Sequence, residues 1–294
     1  YILFYSKYYF TKNMIIWLAS YPKSGNTLLR CMLGSLIYSK IFSTDGKIDF
    51  KHKDLIPQFP KSEFFEDKNK DFINIKEISK HWISAQKKIN SNKLINFLKT
   101  HHLNCHVDNA AFTNKENTAG VIYIVRDPRN VFTSLKYHYS FSDDEALETM
   151  FNKDWQITPL RYQDKKQIIN LVGSWNENYN SWKNKNTLIV KYEDLVFNKK
   201  EELIRIISFI NQFIKLDFTE SQIDKCVESS SFTNMQKMEN ENLFNENIID
   251  QKTKKKKKFF NLGKENNWEK ILDDNIAIKI QNKFELEMKE LKYL

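Results

Sequence analysis

Met14-Ile15-Ile16-Trp17-Leu18-Ala19 is an unbroken apolar run that ends at Ser20 and leads at once into Tyr21-Pro22-Lys23-Ser24-Gly25-Asn26-Thr27, after which an amphipathic stretch begins at Leu28. Apolar residues without polar alternation, over the length of a strand, mark a strand buried on both faces, as in a parallel sheet covered by helices. The order predicts a strand, a phosphate-binding loop turning through Gly25, and a helix whose first backbone N–H groups point at an anion. Lys23 and Thr27 add a charge and a hydroxyl. The usual nucleotide loop, G-x-x-x-x-G-K-[ST], is not met, because Lys23 stands two residues before the glycine and no glycine precedes it. That argues against an ordinary ATP or GTP site.

A second apolar run, Val121 to Val125, enters another turn and helix through Arg126-Asp127-Pro128-Arg129-Asn130. The chain has 41 lysines and only five arginines, and two of the five fall in this one turn. Something there resists lysine. A planar guanidinium grips a phosphate through two parallel hydrogen bonds, which an ammonium cannot reproduce. The plainer alternative for either arginine is a salt bridge to Asp127 or a helix cap. A third strand-like run, Ile95 to Lys99, ends in Lys99-Thr100-His101-His102, and strand alternation puts Lys99 and His101 on one face. His102 and His106 read as core or surface residues.

These motifs resemble the family of sulfotransferases that use 3′-phosphoadenosine 5′-phosphosulfate (PAPS), of the cytosolic type or the bacterial sulfotransferase domain. The family's loop reads Y-P-K-S-G-T-T-W, its K-T-H or K-S-H matches Lys99-Thr100-His101, and its arginine with a serine eight residues on matches Arg126 and Ser134. Tyr192-Glu193-Asp194-Leu195 matches Y-E-D-L, and Ser231-Phe232-Thr233-Asn234-Met235 with Ser230 resembles the T-S-F-x-x-M segment. The resemblance covers most of residues 14 to 270 and implies a P-loop-like three-layer α/β sandwich with a central parallel sheet. It implies sulfuryl transfer to a hydroxyl or amine by in-line displacement, with adenosine 3′,5′-bisphosphate (PAP) as product and no metal. Lys23, Ser24, Gly25, Asn26, Thr27 and Leu28 would hold the 5′ side of the nucleotide, and Arg126 with Ser134 the 3′-phosphate. Tyr192, Ser230, Phe232 and Gly263 would lie near the adenine or close the site. His101 would take the acceptor proton, as suits a side chain with a pKa near ~6.5. Lys99 and Lys23 would neutralise the group in transit and the leaving oxygen.

The chain also departs from the family. Leu28 stands where a tryptophan usually stacks on adenine. Phe259 to Trp268 aligns with F-x-R-K-G-x-x-G-D-W, but Asn261 and Leu262 replace the phosphate-binding Arg-Lys pair, leaving Gly263 and Trp268. Five consecutive lysines, Lys254 to Lys258, run just upstream. Either a flexible loop swings some of them over the nucleotide, or they form a solvated run of like charge.

The 294 residues are enough for one domain with a sizeable core, read here as 14–294 behind an extension at 1–13, with Met14 a candidate start. A net charge of +9 favours an anionic ligand, and a doubly phosphorylated cofactor satisfies it without nucleic acid. Cys31, Cys105 and Cys226 are scattered, which argues against a metal site and for a reducing, cytoplasmic setting. No apolar stretch is long enough to span a membrane. Strands are expected near 14–19, 95–99, 121–126 and 187–192, and helices near 27–38, 129–138, 165–183, 199–212 and 273–291. Glu193 or Asp194 is expected to cap the helix starting near Lys199. The aperiodic stretches 41–93 and 139–164, with Phe59, Phe64, Phe65, Trp82, Phe141 and Trp155, are expected to bind a small-molecule or carbohydrate acceptor. Two other readings stay open: a kinase or NTPase with an atypical loop, and a protein that binds a nucleotide or polyanion without turnover.

Overall fold

The computed structural model describes residues 14–39, 45–65, 74–92, 94–158, 168–244, 246, 248–250, 253, 255–263 and 266–294. Four parallel strands form the central sheet: β1 (Ile15–Ser20), β2 (Asn96–Thr100), β3 (Thr118–Val125) and β4 (Thr187–Lys191), in the order β2-β1-β3-β4. Every residue of β1 is fully buried. Its alternation feeds two cores. Ile15, Trp17 and Ala19 pack on one face with Val121, Tyr123 and Val125, whereas Ile16 and Leu18 pack on the other with Ile122 and Ile124. The result is a three-layer α/β sandwich, as a two-sided apolar strand requires.

Helix α1 (Asn26–Ile37) follows β1, α2 (Pro128–Tyr139) follows β3, and α3 (Trp175–Trp182) precedes β4. The chain steps one way from β1 to β2 and the other way from β1 to β3. The crevice beyond the carboxyl ends of β1 and β3 is therefore the switch point at which open α/β sheets bind ligands. In register, Ala19 lies beside Thr100, Ser20 beside Ile124, and Val125 beside Lys191. Lys23, His101, Arg126 and Tyr192 thus leave the sheet along one edge.

Several expected boundaries are corrected. The helix expected over 165–183 is confined to Trp175–Trp182, because Asn170–Leu171 pairs with Gln156–Ile157 as a short antiparallel ladder, and 159–167 lie outside the described residues. The helix expected over 273–291 breaks at Phe284, whose ring is buried, into Asp274–Lys283 and Glu285–Glu290. Tyr192–Phe197 is a helix of its own, α4, before α5 (Lys199–Ile210). The aperiodic stretches hold helices at Trp82–Asn90 and Asp143–Phe151, the second opened by a capping box of Ser142 and Glu145. Phe59, Phe65 and Trp82 are core residues with Phe64, Phe141 and Trp155 packed against them, so these rings stabilise the domain rather than line a ligand site. The 1–13 extension falls outside the described residues.

Candidate active site

The turn between β1 and α1 is built on two left-handed residues, Lys23 at φ 67° and Gly25 at φ 101°. A side chain at Gly25 would be strained by that φ and would also meet the Tyr192 ring, 2.3 Å from where its Cβ would stand. Asn26 turns its side chain inward, donating from Nδ2 to Leu18 O at 3.0 Å and Ser20 Oγ at 3.2 Å, and so ties the loop to its strand. Arg126 donates from Nη1 to Lys23 O at 3.2 Å and stacks on Tyr192, its guanidinium 4.4 Å from the ring centroid. Four buried polar atoms here lack partners, Tyr21 Oη, Ser24 Oγ, Asn26 Oδ1 and Arg126 Nε. Unpaired donors at a helix N-terminus suit an anion, since burying them unmet is costly.

Lys23, Gly25, Asn26, Thr27, Leu28, Lys99, His101, Arg126, Ser134, Tyr192, Phe232 and Gly263 all line one cavity of about 700 Å³. Ser24 and Ser230 do not line it; the Ser230 hydroxyl donates to Val227 O at 2.9 Å. His101 Nδ1 lies 2.7 Å from Ser20 O and 3.2 Å from Ser20 Oγ. A carbonyl only accepts, so Nδ1 carries the proton and Nε2 is bare. Burial, then Lys99, push the His101 pKa well below its ordinary value, leaving a neutral imidazole. Lys99 donates to Gln58 Oε1 at 2.7 Å, and burial followed by Arg30 and Lys53 lowers its pKa to about 7. For Lys23, burial and then Arg126 lower it to about 8.

Arg129 takes the plainer of its two readings. It is buried on Asp127 (2.7 Å), stacks on Trp268 at 3.8 Å and donates to Tyr293 O at 2.7 Å. Glu193 does not cap α5; its carboxylate accepts from Asp127 N at 3.1 Å and from Tyr293 Oη at 2.9 Å. Gly263, at φ 54°, lies so close to the Phe232 ring that a Cβ would approach it to 2.6 Å. Asn261 and Leu262 line the cavity, so an uncharged wall stands where the family's cationic pair is expected. Of the lysine run, Lys257 does not swing over the cavity. It is held by Tyr137 O at 2.8 Å, Ser140 Oγ at 2.9 Å and Asp250 at 2.9 Å, and Lys256 by Asn242 at 2.9 Å, while Lys254 is outside the described residues.

Three polar residues at the cavity, His138, Glu246 and Gln58, escape sequence reasoning. His138, from the last turn of α2, lies 3.1 Å from Lys23 Nζ. Glu246 accepts from Thr27 Oγ1 at 3.3 Å and pairs with Arg30 at 3.3 Å and Lys53 at 3.2 Å. Gln58 reaches Lys99 from a segment that runs beside β2. The stretches expected to bind the acceptor reach the cavity through Pro60, Lys61, Ile157 and Thr158 rather than through the aromatic residues named in them. Only a contact map would have found His138, Glu246 and Gln58, because each meets its partner across dozens of residues.

Fold and crevice define an α/β protein with a phosphate loop that lacks the nucleotide-triphosphate signature, facing a neutral histidine and two lysines. The chain belongs to the sulfotransferase domain family, whose model matches residues 13–292, and with that it is an enzyme of the PAPS-dependent sulfotransferase class. It is similar to sulfotransferase 1E1 of Rattus norvegicus, 23% identical over 92% of this chain and 82% of the relative. An amine sulfotransferase of Oryctolagus cuniculus is 27% identical over 41% of this chain and 38% of its own. Among solved structures, mouse sulfotransferase SULT7A1 complexed with PAP shares the fold at TM-score 0.56 and 20% identity, over 95% of this chain and 86% of its own. Retinol dehydratase in a complex with retinol and PAP does so at TM-score 0.59 and 16% identity, over 95% and 82%. No helix among the described residues is long and apolar enough to cross a membrane, and no three of their His, Cys, Asp or Glu side chains are grouped to hold a metal.

Proposed function

We propose that this protein transfers the sulfuryl group of PAPS to a hydroxyl or amine acceptor, with His101 as the base. The observation that carries the reading is the tautomer of His101, protonated at Nδ1 by its bond to Ser20 O and bare at Nε2, beside Lys99 and in the same cavity as Lys23 and Arg126. A neutral imidazole can take a proton without first losing one. The donor PAPS supplies a sulfuryl group that passes in line from the leaving 5′-phosphate oxygen to the acceptor. Lys23, Thr27 and the loop amides neutralise the oxygen left behind, Lys99 faces the group in transit, and Arg126 with Ser134 anchors the 3′-phosphate. The orphaned Nε of Arg126, which lines the cavity, supports the fit of such a nucleotide. Tyr192, Phe232 and Gly263, which line the same cavity, would face the adenine. Residues 14–294 act as one sulfotransferase-like domain, a division supported by two cores on either side of one sheet. Free Cys31, Cys105 and Cys226 support a cytoplasmic setting.

A neutral small molecule or a sugar suits the acceptor side, where the positive charge of Lys99 disfavours a second cation. The first test is PAP binding by calorimetry with ATP as control, followed by an acceptor screen with labelled PAPS. Micromolar PAP binding with little response to ATP supports the reading. Binding without transfer to any acceptor would favour the second reading, a nucleotide-binding protein without turnover. The uncharged Asn261 and Leu262 in the cavity wall are the observation that keeps it in play.

A further inference from the structure

Lys23 and His138 are 115 residues apart in sequence and meet in the cavity, Nζ to Nδ1, at 3.1 Å. An ammonium only donates, so Nδ1 of His138 is the bare nitrogen and its proton sits on Nε2, the opposite tautomer to His101. Burial, then the charge of Lys23, lowers the His138 pKa to about 3, so the ring stays neutral. The Phe259 ring also flanks the ammonium, its centroid 4.5 Å from Nζ, and meets the His138 ring edge to face at 6.4 Å. Also facing this pair are Arg126 from the end of β3, Glu246, and Lys257 on the short strand Lys256–Lys257, with Lys99 and His101 across the cavity.

We propose that His138 is the positioning residue of Lys23, its bare Nδ1 and the Phe259 face holding the ammonium over the phosphate loop for the 5′ side of the nucleotide. The inference rests on the sulfotransferase reading, which gives Lys23 that task. A lysine side chain is rich in rotamers, and one already held loses less freedom when a ligand arrives. The neutrality of the holding group matters as well. A carboxylate in the same place would cancel the charge that the phosphate needs, whereas an imidazole accepts the hydrogen bond and leaves the charge intact.

The test uses His138→Leu, which removes the acceptor, and His138→Asn, whose Oδ1 can stand where Nδ1 stood. Calorimetry with PAP is compared with adenosine 3′-monophosphate, which lacks the 5′-phosphate. In His138→Leu the Kd for PAP should rise about five- to tenfold, the worth of one hydrogen bond. Adenosine 3′-monophosphate should bind unchanged, and His138→Asn should restore PAP to within about twofold of wild type. Equal losses for both ligands, or no loss for PAP, would show His138 to be structural or idle. Nitrogen-15 spectra of the free protein test the contact without any nucleotide: a proton on Nδ1 of His138 overturns it. Failure of the wild type to bind PAP sinks the sulfotransferase reading, whereas an abnormal variant pattern with normal wild-type binding sinks this inference alone.

Discussion

The hydroxyl of Thr27 donates to the carboxylate of Glu246 at 3.3 Å, so the phosphate loop of the free protein faces an anion of its own chain. The same carboxylate lies 3.3 Å from Arg30 and 3.2 Å from Lys53, two buried cations that no motif marks. Burial opposes ionisation of Glu246, but Arg30, Lys53 and Lys99 outweigh it and hold its pKa below the ordinary value. On the proposed reading, an incoming phosphate would have to share this ground with a fixed negative charge.

Glu246→Gln should therefore tighten PAP binding while weakening the fold. Removing a charge this close to the loop favours the phosphate by about 1 kcal/mol, or roughly fivefold in Kd. Arg30 loses its ion pair at the same time, and a cost of about 1–2 kcal/mol lowers the melting temperature by about 3–6 °C. Calorimetry and thermal melts on the same preparation check both, and unchanged PAP affinity would show that the carboxylate stands clear of the bound phosphate.

His101→Asn separates the two faces of the imidazole. An asparagine Nδ2 can still donate to Ser20 O, which keeps the strand end in place, but no base remains to take the acceptor proton. Turnover should fall by about 10²- to 10⁴-fold with PAP affinity within about twofold of wild type. A folded variant that transfers sulfuryl groups at the normal rate removes His101 from the mechanism.

The cavity wall at Asn261 and Leu262 can be returned to the family's pattern by Asn261→Arg with Leu262→Lys. If the 3′-phosphate lies between Arg126 and this wall, the double variant should bind PAP about tenfold or more tightly, because charge-assisted bonds to a phosphate are worth about 1.5–3 kcal/mol. Adenosine 5′-monophosphate is the control and should bind as before. A gain shared by both nucleotides would mean only a more positive cavity.

The sheet was legible because its two central strands are buried on both faces, and unbroken apolar runs such as Ile15–Ala19 and Val121–Val125 leave few other options. The turn between β1 and α1 was legible from Lys23 and Gly25 for a similar reason: few sequences tolerate such a turn between a buried strand and a helix. Aromatic residues misled, since Phe59 and Trp82 in aperiodic sequence looked like a binding surface and are core. Rings carry too much apolar area to stay exposed when a core is within reach. His138, Glu246 and Gln58 left no signal, because a polar residue in a helix or loop has no periodicity that says what it will face.

If Lys23 and Lys99 meet the nucleotide's charge as proposed, its binding should be a proton-linked event. Burial is the first cause that lowers Lys99 to about 7 and Lys23 to about 8, with neighbouring cations adding to it. Both are charged at low pH in the free protein and lose their protons as the pH rises through these values. A bound phosphate favours the charged forms and raises both pKa values, so at pH ~8, where a phosphate monoester with its second pKa near ~6 is already fully ionised, binding must take up protons from solution. Calorimetry in two buffers of different ionisation enthalpy should show net proton uptake at that pH, and the Kd for PAP should weaken on the order of tenfold between pH ~7 and ~9. Lys23→Met should reduce the uptake without abolishing it, since Lys99 still titrates. Zero uptake in the wild type would mean that neither lysine meets the nucleotide's charge, and the 5′-phosphate would then have to lie elsewhere along the crevice.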